Sequence, residues 1–226
     1  MQLVKMESPN QSDRIHGDAA VRLVVVHTPE GSYNSAINTC MTPSAKVSYH
    51  RIYKKDGHEA TQLVNFSKKA WHAGAVNSLS DGLSVEGHAK HFDLKDPGTM
   101  ELARGVAERL YTRKLPVQWT TDSVKGGFCR HADLQDDRHD PTDDLAEWRL
   151  FVGMVKDAYI KIANKEIKGW PKPVPQWFWA WARWKLGHGE YAEFGPGKGP
   201  RPSTAPRVIP VWAWNRLRAL LKEQKK

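Results

Sequence analysis

The stretch "GFCRHADLQDDRHDPTD", residues 127–143, holds His131, Asp133, Asp136, Asp137, Arg138, His139, Asp140 and Asp143. Imidazoles and carboxylates at that density form either a solvated polar loop or part of a metal site. Catalytic zinc takes three protein ligands and leaves a fourth position for water. His131 and Asp140 can supply two of them. A strand end makes a good third, because a rigid element fixes the ligand's position. His27, which closes the run "VRLVVVH", stands at such an end. The chain has two cysteines, Cys40 and Cys129, too few for a disulfide framework or a cysteine-only zinc site. Both are expected to be reduced thiols, so any metal must rest on His and Asp.

The elements that would position these ligands read as an α/β pattern, a central mixed β-sheet flanked by helices. Residues 21–27 form a β-branched run expected to be a buried strand. "YNSAINTCM" reads as a short helix ended before Pro43, and residues 46–64 as two strands joined by a hairpin at Asp56-Gly57. "GLSVEGHAK", 82–90, reads as a further strand. "GTMELARGVAERLYTRKL", 98–115, has helical spacing, with Met100, Leu102, Val106 and Leu110 among its apolar positions. Residues 144–165 give a second long helix, and the charged segment between the two helices reads as a loop.

The net charge of +9 is unevenly placed. Residues 1–164 carry 21 basic and 21 acidic residues, whereas residues 165–226 carry 13 basic and 4 acidic ones. A segment so biased seeks an anionic partner: nucleic acid, lipid headgroups or an anionic wall polymer. The composition divides the chain into a domain over 1–165, a proline-rich linker over 166–174 and a basic module over 175–226. Seven of the ten tryptophans lie between 170 and 214, and "VPQWFWAW" and "IPVWAW" repeat one pattern 35 residues apart. Proline suits the first turn of a helix, so two copies of one helical unit are expected. Its tryptophans could form a mini-core between the two helices, stack on sugar rings or bases, or help the module lie on a membrane surface. No apolar run approaches membrane-spanning length, and "MQLVKMESPNQSDRIHG" lacks the apolar core of a secretory signal.

Taken in order, five stretches resemble the zinc-dependent N-acetylmuramoyl-L-alanine amidases, the family that includes phage endolysins and peptidoglycan recognition proteins. "SPNQSDR" with "VVVHTPEGS" resembles the opening strand. "VSYHRIYKKDGHEATQLV" resembles the central hairpin, and "AWHAGAVN" a family signature. "LSVEGHA" is similar to a strand that usually reads I-G-I-E. "RHADLQDDRHDP" is similar to a closing H-x-D, spacer, K-x-D-P-G pattern. The resemblance covers roughly residues 8–155. It implies zinc held by His27, His131 and Asp140, with Glu86 at the catalytic glutamate. It places Arg138 at the family's lysine, facing the developing oxyanion, and Tyr49 at a position that carries a tyrosine in some phage members. His72, Trp71 and Asn77, from the "AWHAGAVN" signature, are expected on the substrate side. Asp133 is expected to orient His131 or the loop. His50, His88, His91 and His139 are expected not to be ligands. Three positions depart from the pattern: Arg130 stands for a glycine before His131, Arg138 for the lysine, and Thr142 for the glycine after Asp-Pro.

The implied reaction is hydrolysis of the amide between N-acetylmuramic acid and L-alanine in peptidoglycan. The implied actor is a monomeric phage endolysin that gathers in the host cytoplasm before lysis. Its residues 175–226 would hold an anionic wall polymer or membrane surface, with no specific nucleic acid. Two other readings stand beside it. One is a recognition protein that binds peptidoglycan without cutting it, for which a full ligand set plus Glu86 would have no use. The other is a nucleic-acid-binding metalloprotein, which the tail permits but the neutral first domain does not suggest.

Overall fold

The computed structural model describes residues 1–167. Its strands are β1 (Gln2–Lys5), β2 (Gln11–Asp13), β3 (Leu23–His27), β4 (Arg51–Tyr53), β5 (Glu59–Gln62), β6 (Lys68–Ala70), β7 (Ser80–Val85) and β8 (Gly127–Arg130). Its α-helices are α1 (Tyr33–Met41), α2 (Pro97–Arg113) and α3 (Leu145–Ile167). The chain divides into two compact units, Met1–Ile160 and Lys161–Lys226. The linker and the tryptophan-rich helical pair expected beyond α3 lie outside the described residues. Among the described residues no helix is long and apolar enough to cross a membrane.

The valine run of β3 carries apolar groups on both faces, so it needs cover on both. It lies inside a six-stranded sheet of order β1-β5-β4-β7-β3-β8, and all five of its residues are buried. β3 is parallel to both β7 and β8, β4 is parallel to β7, and β1 is parallel to β5. The hairpin β4–β5 is the antiparallel pair that makes the sheet mixed. Gly57 turns it at φ 72°, and Asp56 Oδ1 accepts from the His58 amide at 2.9 Å. The register sorts side chains by face. His27 pairs with Ser84, and Ser84 with Ile52. Ile52 packs among Tyr33, Ala36 and Cys40 of α1, so His27 shares the α1 face. Tyr53 and Asp81 point the other way, to α2. On that face too, Trp148 of α3 stacks on Phe151 at 5.1 Å and tilts against Phe128 of β8 at 5.8 Å.

The sequence expects the first hairpin strand to start at Lys46, but β4 starts at Arg51. Lys46 takes a left-handed φ of 52°, and the Ser48 amide donates to the Trp71 carbonyl instead. The strand expected over 82–90 runs Ser80–Val85 and ends where Gly87 adopts φ 142°. Met100 is half exposed and is not part of the core, whereas Leu102, Val106 and Leu110 are wholly buried. β8 occupies the start of the segment read as a loop. Its last residue, Arg130, is buried because Asp133 and the Thr142 carbonyl take its guanidinium.

Beneath the α2 face, one wholly buried carboxylate organises three guanidiniums. Asp81 accepts from Arg14 at 2.7 Å, and from Arg109 and Arg113 at 3.0 Å. Burial pushes the Asp81 carboxyl up, but His50, Arg109 and Arg113 more than reverse this and hold it below its ordinary value. Its folded-state pKa is thus lower than its unfolded one. Its contribution is fully present above about pH 4, the unfolded value, and is lost as pH falls through the folded value. Asp81→Asn is therefore expected to lower stability by about 3–5 kcal/mol at neutral pH. Denaturant titrations should show that gap closing below about pH 4; a gap that widens in acid would contradict this. Gly105 of α2 gives a second test, because a Cβ there would overlap the buried Tyr53 hydroxyl. Gly105→Ala adds helix propensity of up to about 1 kcal/mol. Overpacking at about 1–3 kcal/mol outweighs it, so the variant should melt earlier.

Candidate metal centre

β3, β7 and β8 are parallel, so their carboxyl ends lie along one edge of the sheet. In open α/β sheets that edge is where ligands bind. His27 ends β3 and His131 follows β8 directly. Asp140 returns on the loop, which the Ala132 amide ties down by donating to the Asp140 carbonyl at 3.0 Å. One ligand atom from each of His27, His131 and Asp140 lies within 4.8 Å of the other two, and all three residues are buried. The two carboxylate oxygens of Asp140 divide between the imidazoles. Oδ2 is 3.0 Å from His27 Nδ1, and Oδ1 is 3.0 Å from His131 Nδ1.

Burial raises the Asp140 carboxyl, but its contacts with His131 and His27 outweigh it, so the group stays ionised far into acid. Burial lowers His27 despite Asp140, which keeps the ring neutral. Two imidazoles and a carboxylate, converging and buried, fit a zinc ion by donor type and by number.

The remaining residues of the sequence reading fall around this cluster. The Tyr49 ring is 5.1 Å from that of His27, and burial raises its phenol, so it stays protonated. Arg138 is half exposed, with Nε 4.0 Å from Asp137. It joins Glu30, His88, Lys90, Asp140 and Glu147 in lining a groove of ≈ 930 Å³. Glu86 lies one residue past β7, and strand alternation puts it on the His27 face with Gly82 and Ser84. Its carboxylate accepts from the Lys55 amide at 3.0 Å.

His72, Trp71 and Asn77, expected on the substrate side, spend polar atoms inside the protein. His72 is buried, with Nδ1 3.0 Å from His27 Nε2 and Nε2 3.3 Å from Ser80 Oγ. Burial first, and then the neighbouring imidazoles, lower its pKa well below normal. Asn77 Oδ1 accepts from the amides of His72 and Ala73, and the Trp71 indole donates to Ser12.

His139, adjacent to Asp140, turns outward to Asp143 at 2.8 Å. His50 faces the Asp81 cluster. Asp133 holds the loop: it takes the Arg130 backbone and guanidinium and the Trp119 indole. The partner of His131 is Gln135, whose Oε1 lies 2.5 Å from Nε2. Sequence reading missed Gln135, although its spacing of four from His131 brings it near once the segment winds into a helical turn. Ser80 was missed too, and it carried no local signal.

The His–His–Asp cluster at the carboxyl edge of this mixed sheet, with an open groove beside it, is an arrangement that could hold a metal ion against a bound ligand. Residues 17–143 match the family model described as N-acetylmuramoyl-L-alanine amidase, and the chain belongs to that family. It is 39% identical over 66 residues to N-acetylmuramoyl-L-alanine amidase A of Achromobacter lyticus. That match covers 29% of this chain and 37% of the relative, so the chain spans little more than a third of it. The fold resembles the Staphylococcus aureus hydrolase AmiA, solved with its ligand. The TM-score is 0.57 at 14% identity, covering 73% of this chain and 86% of that one. It also resembles a mutant endolysin from Bacillus subtilis, with TM-score 0.52 at 16% identity, covering 69% and 99%. A selenomethionine derivative of AmpD gives TM-score 0.51 at 22% identity, covering 66% and 93%.

If the cluster binds metal, Asp140→Asn should weaken zinc binding by about 100-fold or more, since an amide replaces the one anionic ligand. Equilibrium dialysis reads this directly, and His139→Ala should leave the affinity within about twofold because its ring faces Asp143.

Proposed function

We propose that this chain hydrolyses the amide between N-acetylmuramic acid and L-alanine in peptidoglycan, with zinc held by His27, His131 and Asp140. The observation that carries this reading is the buried convergence of those three ligand atoms beside the groove, in a chain of this family. Zinc bound there would lower the pKa of a water toward about 7 and polarise the scissile carbonyl. The other roles belong to the chain's own residues. Glu86 accepts the proton of the attacking water and returns it to the leaving amine. Its hydrogen bond from the Lys55 amide is solvent-exposed and worth at most about 1.5–3 kcal/mol net, so the carboxylate can exchange it. Arg138, on the groove, faces the oxygen on which negative charge develops. Tyr49, protonated by virtue of its burial, donates a hydrogen bond on the same side. Asp140 keeps both imidazoles aimed at one point.

The biological setting is part of the same proposal: a phage endolysin that accumulates in the host cytoplasm and cuts the wall at lysis, acting as a bacteriolytic agent. The positive excess of residues 165–226 supports a tail that holds an anionic wall polymer or a membrane surface.

The decisive experiment is mass spectrometry of purified peptidoglycan digested by the full chain, with and without a zinc chelator. New free L-alanine amino termini on intact glycan strands, lost on chelation, are expected. Intact peptidoglycan after digestion with the zinc-loaded chain would leave a protein that binds the wall without cutting it. Glu86→Gln should lower kcat by about 10²–10⁴, and Arg138→Ala by about 10²–10³. Both should keep bound zinc, which separates loss of chemistry from loss of the metal.

A further inference from the structure

The two histidines of the metal centre are backed differently. Nε2 of His131 meets the Gln135 amide oxygen, which can only accept. Nε2 of His27 meets another imidazole, His72 Nδ1, at 3.0 Å. A neutral imidazole both donates and accepts, so this contact alone leaves the proton's direction open. The next group along decides it. Ser80 is wholly buried, and its hydroxyl carries one hydrogen. The Val76 carbonyl lies 2.8 Å from Ser80 Oγ and His72 Nε2 lies 3.3 Å from it, so the hydrogen goes to the carbonyl. The serine oxygen must then accept from His72 Nε2–H. That leaves a lone pair on His72 Nδ1, which accepts from His27 Nε2–H. His27 Nδ1 is left with its lone pair toward Asp140 and His131.

We propose that Ser80 and His72 are a positioning pair that holds His27 in its Nε2–H tautomer and so reserves its Nδ1 lone pair for the metal. The inference rests on the metal reading above. The opposing arrangement is specific: without metal, Asp140 would welcome a hydrogen on His27 Nδ1. His27 Nε2 would then need an N–H from His72, and His72 Nε2 would need the Ser80 hydrogen. That hydrogen would have to leave the closer Val76 carbonyl. The pair therefore biases the site toward the metal-ready state. The His72 ring is also fixed in place. Asn77 Oδ1 accepts from its backbone amide at 3.0 Å, and the ring sits over Gly82, where a Cβ would come within 2.5–2.7 Å of ring atoms.

The test is zinc affinity of the full chain against a chromophoric chelator, read beside the imidazole nitrogen shifts from histidine NMR. His72 is expected to carry its proton on Nε2 in both the zinc-loaded and the metal-free chain. His72→Ala should weaken zinc by about 10–100-fold, and Ser80→Ala by about tenfold with His72 in mixed tautomers. Gln135→Leu should weaken zinc comparably while leaving the His72 tautomer unchanged. A His72 proton on Nδ1 in the wild type would overturn the inference even if no variant folds. So would folded Ser80→Ala with zinc affinity within about twofold of wild type. A wild-type chain that takes up no zinc would overturn the metal reading itself, and this inference with it.

Discussion

Everything at the His27–His131–Asp140 cluster depends on the register of β3. The strand is buried on both faces and paired in parallel on both edges. Side chains alternate along it, so a slip by one residue would carry His27 from the α1 face to the α2 face. There it would lie beside Leu83 or Val85, away from His131 and Asp140. The valines on either face resist that slip because both sets are already packed. Precision at the metal centre is thus set by apolar packing several residues away. The parallel alignment of β7 and β8 then brings Glu86 and His131 to the same edge at no further structural cost.

Much of this was legible in the sequence, because the decisive signals are local. A run of β-branched residues ending in histidine, an Asp-Gly turn, and two long amphipathic helices each announce themselves within one element. The unread parts depend on distant partners. β1 is four residues of mixed polarity, and only its parallel pairing with β5 makes it a strand. β8 is hidden by Arg130, whose charge suggests a loop until Asp133 and Thr142 are seen to satisfy it. Gln135 and Ser80 look like ordinary polar residues, and their task appears only when His131 and His72 arrive beside them. Met100 shows the limit of the helical signal: an apolar side chain at helical spacing does not by itself say which way the helix is turned.

One of the three departures from the family pattern, Arg130, has a structural account, and its contact is to a backbone carbonyl that any residue at 142 would offer. Arg130 replaces a glycine before His131, and Thr142 replaces one after Asp-Pro. Arg130 Nη1 donates to the Thr142 carbonyl at 2.9 Å, while Asp133 takes the rest of the guanidinium. The pair closes the loop that carries both His131 and Asp140, because its two contacts lie just outside those ligands in sequence. Where glycines would give that loop freedom, this chain has a buried ion pair holding it shut. The arginine therefore bears on the stiffness of the loop and leaves His131 and Asp140 in place.

The buried polar groups also run through the sheet. From His27 they pass to His72, then to His50 at a ring separation of 5.8 Å, and from His50 to Arg14 and Asp81 on the far face. Were the middle rings charged, positive charge would reach the metal ligands from behind, and repulsion through a poorly solvated interior would oppose a dication. Burial prevents this. It lowers His50 to about 4, the pull of Asp81 notwithstanding, and together with the neighbouring imidazoles it lowers His72 well below its ordinary value. Both rings are therefore neutral at neutral pH, where Asp81 is ionised. The positive charge stays on the guanidiniums, where Asp81 offsets it. Neutral histidines, in place of lysines or arginines, let a charged structural knot sit behind the His27–His131–Asp140 cluster without adding positive charge to it.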